Sequence, residues 1–169
     1  MEVALRYIFP ALLLSAMFSL NCAHAANMVS SEDRTFIAKV SQGGMFEVAA
    51  GEAGAAQGNT QDIRDQGATE AHDHTLVGAK LKTIATAAGV TFPDTLNAEF
   101  QHELDSLRGT SGRAFDAAYL AEMKVIHVKD GAAFAVEAKS GSDPKLRAFA
   151  AETHRIVLRH IGELDAFGP

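Results

Sequence analysis

The residues from about Ser30 to Phe167 repeat apolar side chains at the spacing of an α-helix, and this pattern constrains the fold most. No stretch alternates apolar and polar residues at period two for long enough to predict a strand. Turn signals rich in glycine, proline, serine and aspartate interrupt the helical pattern. The sequence therefore predicts an all-α fold.

Capping signals divide the pattern into five predicted helices. Ser30 or Ser31 can cap the first helix, and Asn59 opens the second with Asp62 three residues later. The predicted helices run from near Glu32 to Gly58, from Asn59 to about Ala88, from about Asp94 to Arg108, from about Arg113 to Lys139, and from Asp143 to about Phe167. Four long helices with short connections predict an antiparallel four-helix bundle with one additional short helix.

The first 25 residues have the layout of a secretory signal peptide. An apolar run covers residues 7–20, and a small-x-small cleavage pattern covers residues 23–25. A membrane anchor is the alternative, but the run is short for a spanning helix and Pro10 interrupts it. A lipoprotein signal at Cys22 is disfavoured because the residue before it, Asn21, is large and polar.

Cleavage after Ala25 would leave residues 26–169 as the exported protein, and the periplasm is the expected compartment. It would also remove the only cysteine of the chain, so the exported domain would depend on its hydrophobic core alone. Residues 26–31 are predicted to be a flexible N-terminus, and residues 32–169 are predicted to form the helical domain.

The charge and motif content exclude several classes of function. The chain has 21 acidic against 15 basic residues and no basic cluster, so nucleic acid is not an expected partner. After signal cleavage no integral membrane segment remains. No glycine-rich phosphate loop, serine hydrolase order or zinc-protease motif is present, so no catalytic residue and no organic cofactor site is assigned. The sequence leaves a homo-oligomer and a protein partner open.

Helical geometry at 100° per residue places several titratable side chains among the inward apolar residues. The residues on or beside an inward face are Glu47, Glu70, Asp73, His74, Asp116, His127, Asp130 and His160. Counting from the turns puts Glu47 level with Glu70, whereas His127 and His160 differ by roughly 7–8 Å of axial rise. A buried unpaired charge is costly, so this set requires an explanation.

Three explanations remain open. Glu47, Glu70 and His74 could bind a metal ion together with a group from the other helix pair, and such ligands suit iron, manganese, zinc or copper. Alternatively, Glu47 or Glu70 pairs with His74 in a metal-free network that fixes helix register, and Asp116 pairs with His127 or His160. In the third, the helices are splayed and the groups are hydrated.

Other polar side chains receive structural interpretations. His72, His102 and His154 are expected at the surface. Tyr119 is expected in the core with a hydrogen-bonded hydroxyl.

The chain also resembles an exported bacterial family known as domain of unknown function 4142, over about residues 32–165. The residues that carry the resemblance are Glu47, Asp73-His74, Phe115-Asp116 with Tyr119 and His127, and Asp143-Pro144 with His160. The resemblance implies a ferritin-like fold without an established activity.

One departure limits what a ferritin-like fold implies. Di-iron proteins of that fold carry Glu-x-x-His on two helices. Here the second helix has Glu70 and His74 with one residue more between them, and Val157 stands three residues before His160. Oxidase chemistry is therefore not carried over with the fold.

The leading hypothesis is an exported, periplasmic, ferritin-like bundle that binds one or more metal ions in its interior. The first ligand candidates are Glu47 and His74, followed by His127, His160 and Glu70, with Asp116 and Asp73 as a second tier. The alternative is a non-enzymatic, stress-related envelope protein whose inward groups hold the helices in register without metal. Whether the chain is an enzyme is left open by the sequence.

Overall fold

The computed structural model describes residues 29–168, and every regular element in this range is helical. The helices are α1 (Ser31–Gln57), α2 (Gln61–Ala87), α3 (Ala98–Arg108), α4 (Gly112–Ser140) and α5 (Pro144–Asp165). The all-α prediction is thus confirmed for these residues. The predicted signal peptide lies outside the described residues. Within residues 29–168, no helix is both long enough and apolar enough to cross a bilayer.

Side-chain caps start four of the helices. Ser30 accepts a hydrogen bond from the backbone of Asp33 at 3.0 Å, and Asp33 accepts one from the Ser30 backbone at 3.4 Å. Asp143 caps α5 as predicted, because its Oδ1 accepts from the N–H groups of residues 145 and 146 at 2.7 and 2.9 Å. Both caps satisfy backbone groups that a helix start leaves without a partner.

Two predicted helix starts were wrong. Thr60, not Asn59, caps α2, and the Asn59 N–H donates to Asp116 Oδ1 at 2.8 Å. The third helix begins at Ala98 rather than near Asp94. Asn97 has extended backbone and its side chain accepts from the N–H of residue 100 at 2.9 Å, so it is the N-cap there.

The four long helices contact one another in a closed circuit. α1 packs against α2 and α4, α5 packs against α4 and α2, and α3 covers α1 and α4. Glycines bring α1 and α2 close together near the turn that joins them. A Cβ atom on Gly67 would lie 2.4 Å from the Ala55 nitrogen, and one on Gly51 would lie 2.7 Å from the Ala71 nitrogen. Only a residue without a side chain permits this spacing.

The core consists of two apolar clusters with a polar layer between them. One cluster contains Phe36, Val40, Val77, Leu81, Phe134, Phe149 and Val157 among its members. The other contains Phe46, Ala50, Ile63, Phe115, Tyr119, Met123, Ile126 and Leu164 among its members. Along α2, α4 and α5, the chain passes from one cluster to the other through buried glutamate or histidine residues.

Candidate metal centre

The structure brings the five first-ranked ligand candidates together in this polar layer. Glu47 comes from α1, Glu70 and His74 from α2, His127 from α4 and His160 from α5. None of the five is more than 2% exposed. Four separate helices therefore contribute titratable side chains to one buried region of the interior.

Local helix geometry explains why the side chains meet. Glu70 and His74 are four residues apart, so they lie on the same face of α2. Helical side chains lean towards the N-terminus of their own helix. His127 therefore leans away from the α4–α5 turn and His160 leans towards it. The axial offset predicted for this pair is closed in this way, and His127 Nε2 lies 3.2 Å from His160 Nδ1.

Glu70 Oε2 lies at the centre of the cluster. His160 Nδ1 is 3.0 Å away, His127 Nε2 is 3.2 Å away, and His74 Nε2 is 3.3 Å away. The other oxygen of Glu70 accepts a hydrogen bond from Gln66 Nε2 at 2.8 Å, which fixes the carboxylate plane. One ligand atom from each of the four residues Glu70, His74, His127 and His160 lies within 4.8 Å of the others. Three imidazoles thus converge on a single carboxylate oxygen.

The outward nitrogens of two imidazoles have acceptors of their own. His74 Nδ1 lies 2.9 Å from Glu47 Oε2, and His127 Nδ1 lies 2.8 Å from the carbonyl oxygen of Met123. A carbonyl oxygen only accepts, so His127 must carry its proton on Nδ1. A neutral His127 then presents the lone pair of Nε2 to Glu70. His74 is held in the same way when it donates to Glu47.

The third imidazole contacts an acid on the neighbouring helix. His160 Nε2 lies 3.0 Å from Asp73 Oδ2, and Arg159 also donates to that oxygen. Arg159 Nη2 lies 3.0 Å from His160 Nε2, and a guanidinium only donates. His160 Nε2 can therefore accept from Arg159, which places the ring proton on Nδ1, or donate to Asp73, which turns a bare Nδ1 inward; the two tautomers are alternatives.

The cluster shifts the pKa values of its members. Burial opposes charge on His74, but the Glu47 carboxylate raises its pKa to about 10. Burial likewise opposes charge on His127, yet the adjacent Glu70 carboxylate raises its pKa. The pKa values of Glu47 and Glu70 are lowered despite burial, because imidazoles surround both carboxylates. In the absence of metal the cluster therefore favours imidazolium–carboxylate pairs.

The family of the chain follows from a comparison with family models. The model described as Domain of unknown function (DUF4142) matches residues 20–167. The chain belongs to this family. No curated protein and no solved structure matches the chain. The resemblance drawn from the motifs is thus confirmed, and the family description assigns no activity to DUF4142.

Three contacts in this DUF4142 centre were not predicted from the sequence. They are the amide of Gln66, the carbonyl of Met123 and the guanidinium of Arg159. Gln66 stands four residues before Glu70 on the inward stripe of α2, so the sequence could have predicted its contact with Glu70. Nothing in the sequence indicated the contacts made by the Met123 carbonyl or by the exposed Arg159.

Two predicted roles were wrong. Asp116 pairs with neither His127 nor His160, because it caps the α1–α2 turn by accepting from Asn59. Tyr119 is buried as predicted, but its hydroxyl has no hydrogen-bond partner among the described residues. Burial raises the pKa of that hydroxyl, which keeps it neutral.

The remaining candidates lie outside the first contacts of Glu70. Asp73 is partly exposed and reaches the cluster only through His160. Asp130 is buried against Gly43, and its Oδ2 has no hydrogen bond among residues 29–168. Burial and the Glu47 charge raise the pKa of Asp130 to about 7. His72 and His102 are exposed and His154 is partly exposed, away from the centre.

Proposed function

We propose that this DUF4142 protein binds a transition-metal ion through Glu70, His74, His127 and His160. We further propose that the helices form a ferritin-like four-helix bundle and that the protein is exported to the periplasm. The export proposal rests on the N-terminal sequence. The bundle proposal is supported by the closed circuit of contacts among the four long helices.

The observation that carries the metal proposal is the direction of the lone pairs. Each of the three imidazoles has an acceptor at its outward nitrogen, so each can donate there and point a bare nitrogen at Glu70 Oε2. Glu70 Oε2 and His74 Nε2 make no hydrogen bond among the described residues, although their neighbours are close. When all three imidazoles donate outward, Glu70 Oε2 and the three inward nitrogens are all acceptors, and His127 Nε2 and His160 Nδ1, 3.2 Å apart, cannot hydrogen-bond to each other. A cation among the four atoms would then remove their repulsion.

The spacing of the four atoms fits a small metal ion. Bonds of about 2.0–2.1 Å in a tetrahedron give edges of about 3.3–3.4 Å. The separations of 3.0–3.3 Å between Glu70 Oε2 and the three imidazole nitrogens are close to this value, and all four atoms lie within 4.8 Å of one another. Imidazole and carboxylate ligands suit iron, manganese, zinc and copper, and four protein ligands in a tetrahedron favour zinc. Zinc is therefore the first ion to test.

The proposal is tested by titrating zinc into the metal-free protein. Calorimetry measures the binding, and thermal melting measures the change in stability. One equivalent should bind, and zinc at about 1,000 times Kd should raise the free energy of unfolding by about 4 kcal/mol. His127→Ala should weaken binding by more than about 100-fold, because loss of a ligand exceeds loss of its hydrogen-bond partner. His72→Ala is the matched control, since His72 is exposed on α2. His127→Asn provides a second variant if His127→Ala does not fold.

The pKa directions favour a second candidate, a metal-free network that fixes helix register. In it His74 and His127 are imidazolium ions paired with Glu47 and Glu70. Such buried pairs can specify which helix faces meet. If iron, manganese, zinc and copper all fail to bind and none changes the melting temperature, the metal proposal is wrong and the metal-free network is the remaining candidate.

A further inference from the structure

A second feature of α1 and α2 is an apolar cavity of about 340 Å³, called here the α1–α2 cavity. Its apolar walls come from α1, α2, the segment that follows α2, and α4. They include Val40, Val48, Val77, Leu81, Phe92 and Phe134. Cavities of about 300–1,000 Å³ with mostly apolar walls are typical of small-molecule sites. The metal proposal does not use this space.

Two glycines that helix packing does not require leave space in the cavity. Gly44 and Gly78 line it, and a Cβ atom on either would meet no atom within 4 Å. Gly51 and Gly67, on the same two helices, are needed because a side chain there would collide with backbone. A glycine inside a helix costs about 1 kcal/mol relative to alanine. At positions 44 and 78 no neighbouring atom requires glycine, and the missing side chains leave open space.

The cavity is electrically asymmetric along its depth. Glu47 and His74 lie at its buried end, where they pair with each other. Lys82 lies at its exposed end and forms no ion pair with any of residues 29–168. A carboxylate ligand inside would face Glu47 in a medium of low polarity, which is costly. At the exposed end the same charge would face an ammonium group.

We propose that the α1–α2 cavity binds a small molecule with an apolar body and one anionic end. The apolar body fills the space beside Gly44 and Gly78, and the anionic end lies at Lys82. The bound molecule would contact Glu47 and His74, which line the cavity and pair through His74 Nδ1, whereas His74 Nε2 faces Glu70. Binding does not require a metal ion, so this proposal and the metal proposal can fail separately.

The test uses octanoate and 1-octanol as probes, titrated into purified protein with and without zinc. Octanoate should bind with and without zinc, and more tightly than 1-octanol. Gly78→Val, which places a branched side chain in the cavity, should weaken octanoate binding by at least about tenfold. Gly162→Val is the matched control, because Gly162 is an exposed helical glycine with no atom within 4 Å of its Cβ position. It should bind octanoate as the unaltered protein does.

Lys82→Gln tests the anionic end separately. It should weaken octanoate binding several-fold and leave 1-octanol binding unchanged. Gly44→Val repeats the cavity test from α1 if Gly78→Val melts at a much lower temperature than the control. The proposal is overturned if octanoate fails to bind at millimolar concentration, or if both glycine variants bind it normally. Equal binding of octanoate and 1-octanol would also overturn it.

Discussion

The Nε2 atom of His160 lies 3.0 Å from Oδ2 of Asp73, so an acid on α2 holds an imidazole on α5. The opposite nitrogen of the same ring, Nδ1, lies 3.0 Å from Glu70 Oε2. His160 is fully buried, whereas the Asp73 side chain is 21% exposed. Asp73 thereby orients a deep side chain from a position that water can reach.

Asp73→Asn should weaken zinc binding by about 10–100-fold, because a carboxylate that accepts from a ligand imidazole fixes its orientation and its basicity. The fold should persist, since Asp73 lies at the rim of the centre. Calorimetric titration of the metal-free protein measures the change. Asp62→Asn, at the exposed start of α2, is the control and should leave the affinity unchanged. Equal affinities for the two variants would exclude an orienting role for Asp73.

The metal-free protein should lose stability as the pH rises from about 6.5 to about 10. The folded-state pKa of His74 is raised from 6.5 to about 10, so the stability it contributes is complete below about 6.5 and is lost through about 10. The expected loss is on the order of a few kcal/mol. Urea unfolding at pH 6, 8 and 10 measures it.

Zinc-saturated protein is the comparison for this pH series. A ligand imidazole must be neutral, so zinc should flatten the decline and its apparent affinity should increase with pH. His74→Gln should also flatten the metal-free curve, whereas His154→Gln should not. A metal-free curve that stays level between pH 6 and pH 10 would contradict the raised pKa of His74.

The helical period placed Glu47, Glu70, His74 and His160 on inward faces and His127 on or beside one, and all five are buried. Glu47 and Glu70 were predicted to lie level, and both now contact His74. The offset predicted for His127 and His160 did not keep their side chains apart, because the count considered only positions along the helix axes and His127 Nε2 lies 3.2 Å from His160 Nδ1. The lean of side chains towards each N-terminus closes such offsets between antiparallel helices.

Other parts of the centre could not be predicted from helix faces. A period identifies which residues point inward, but it does not identify which atom accepts from which nitrogen. The Met123 carbonyl was therefore missed. The glycines pose a similar problem, because Gly51 and Gly78 look alike in the sequence. Only the neighbouring atoms show that the first permits helix contact and the second borders open space.

Glu47→Ala should destabilise the metal-free protein by about 3–5 kcal/mol, because it leaves the buried His74 without its closest acceptor. Urea unfolding at pH 7 measures the loss. Glu52→Ala, on the exposed face of α1, is the control and should change the free energy of unfolding by less than about 0.5 kcal/mol. If Glu47→Ala is as stable as the control, the ion pair between Glu47 and His74 contributes nothing to the fold.

Gly67→Ala should destabilise the fold by about 1–3 kcal/mol, the usual cost of overpacking. The added methyl carbon would lie 2.4 Å from the Ala55 nitrogen, and backbone on both helices would have to move. Gly162→Ala is the control, because its methyl group would meet no atom within 4 Å. Helix propensity should make that variant up to about 1 kcal/mol more stable. Gly67→Ala should therefore lower the melting temperature, whereas Gly162→Ala should raise it. Stabilisation by both variants would show that α1 and α2 do not pack through Gly67.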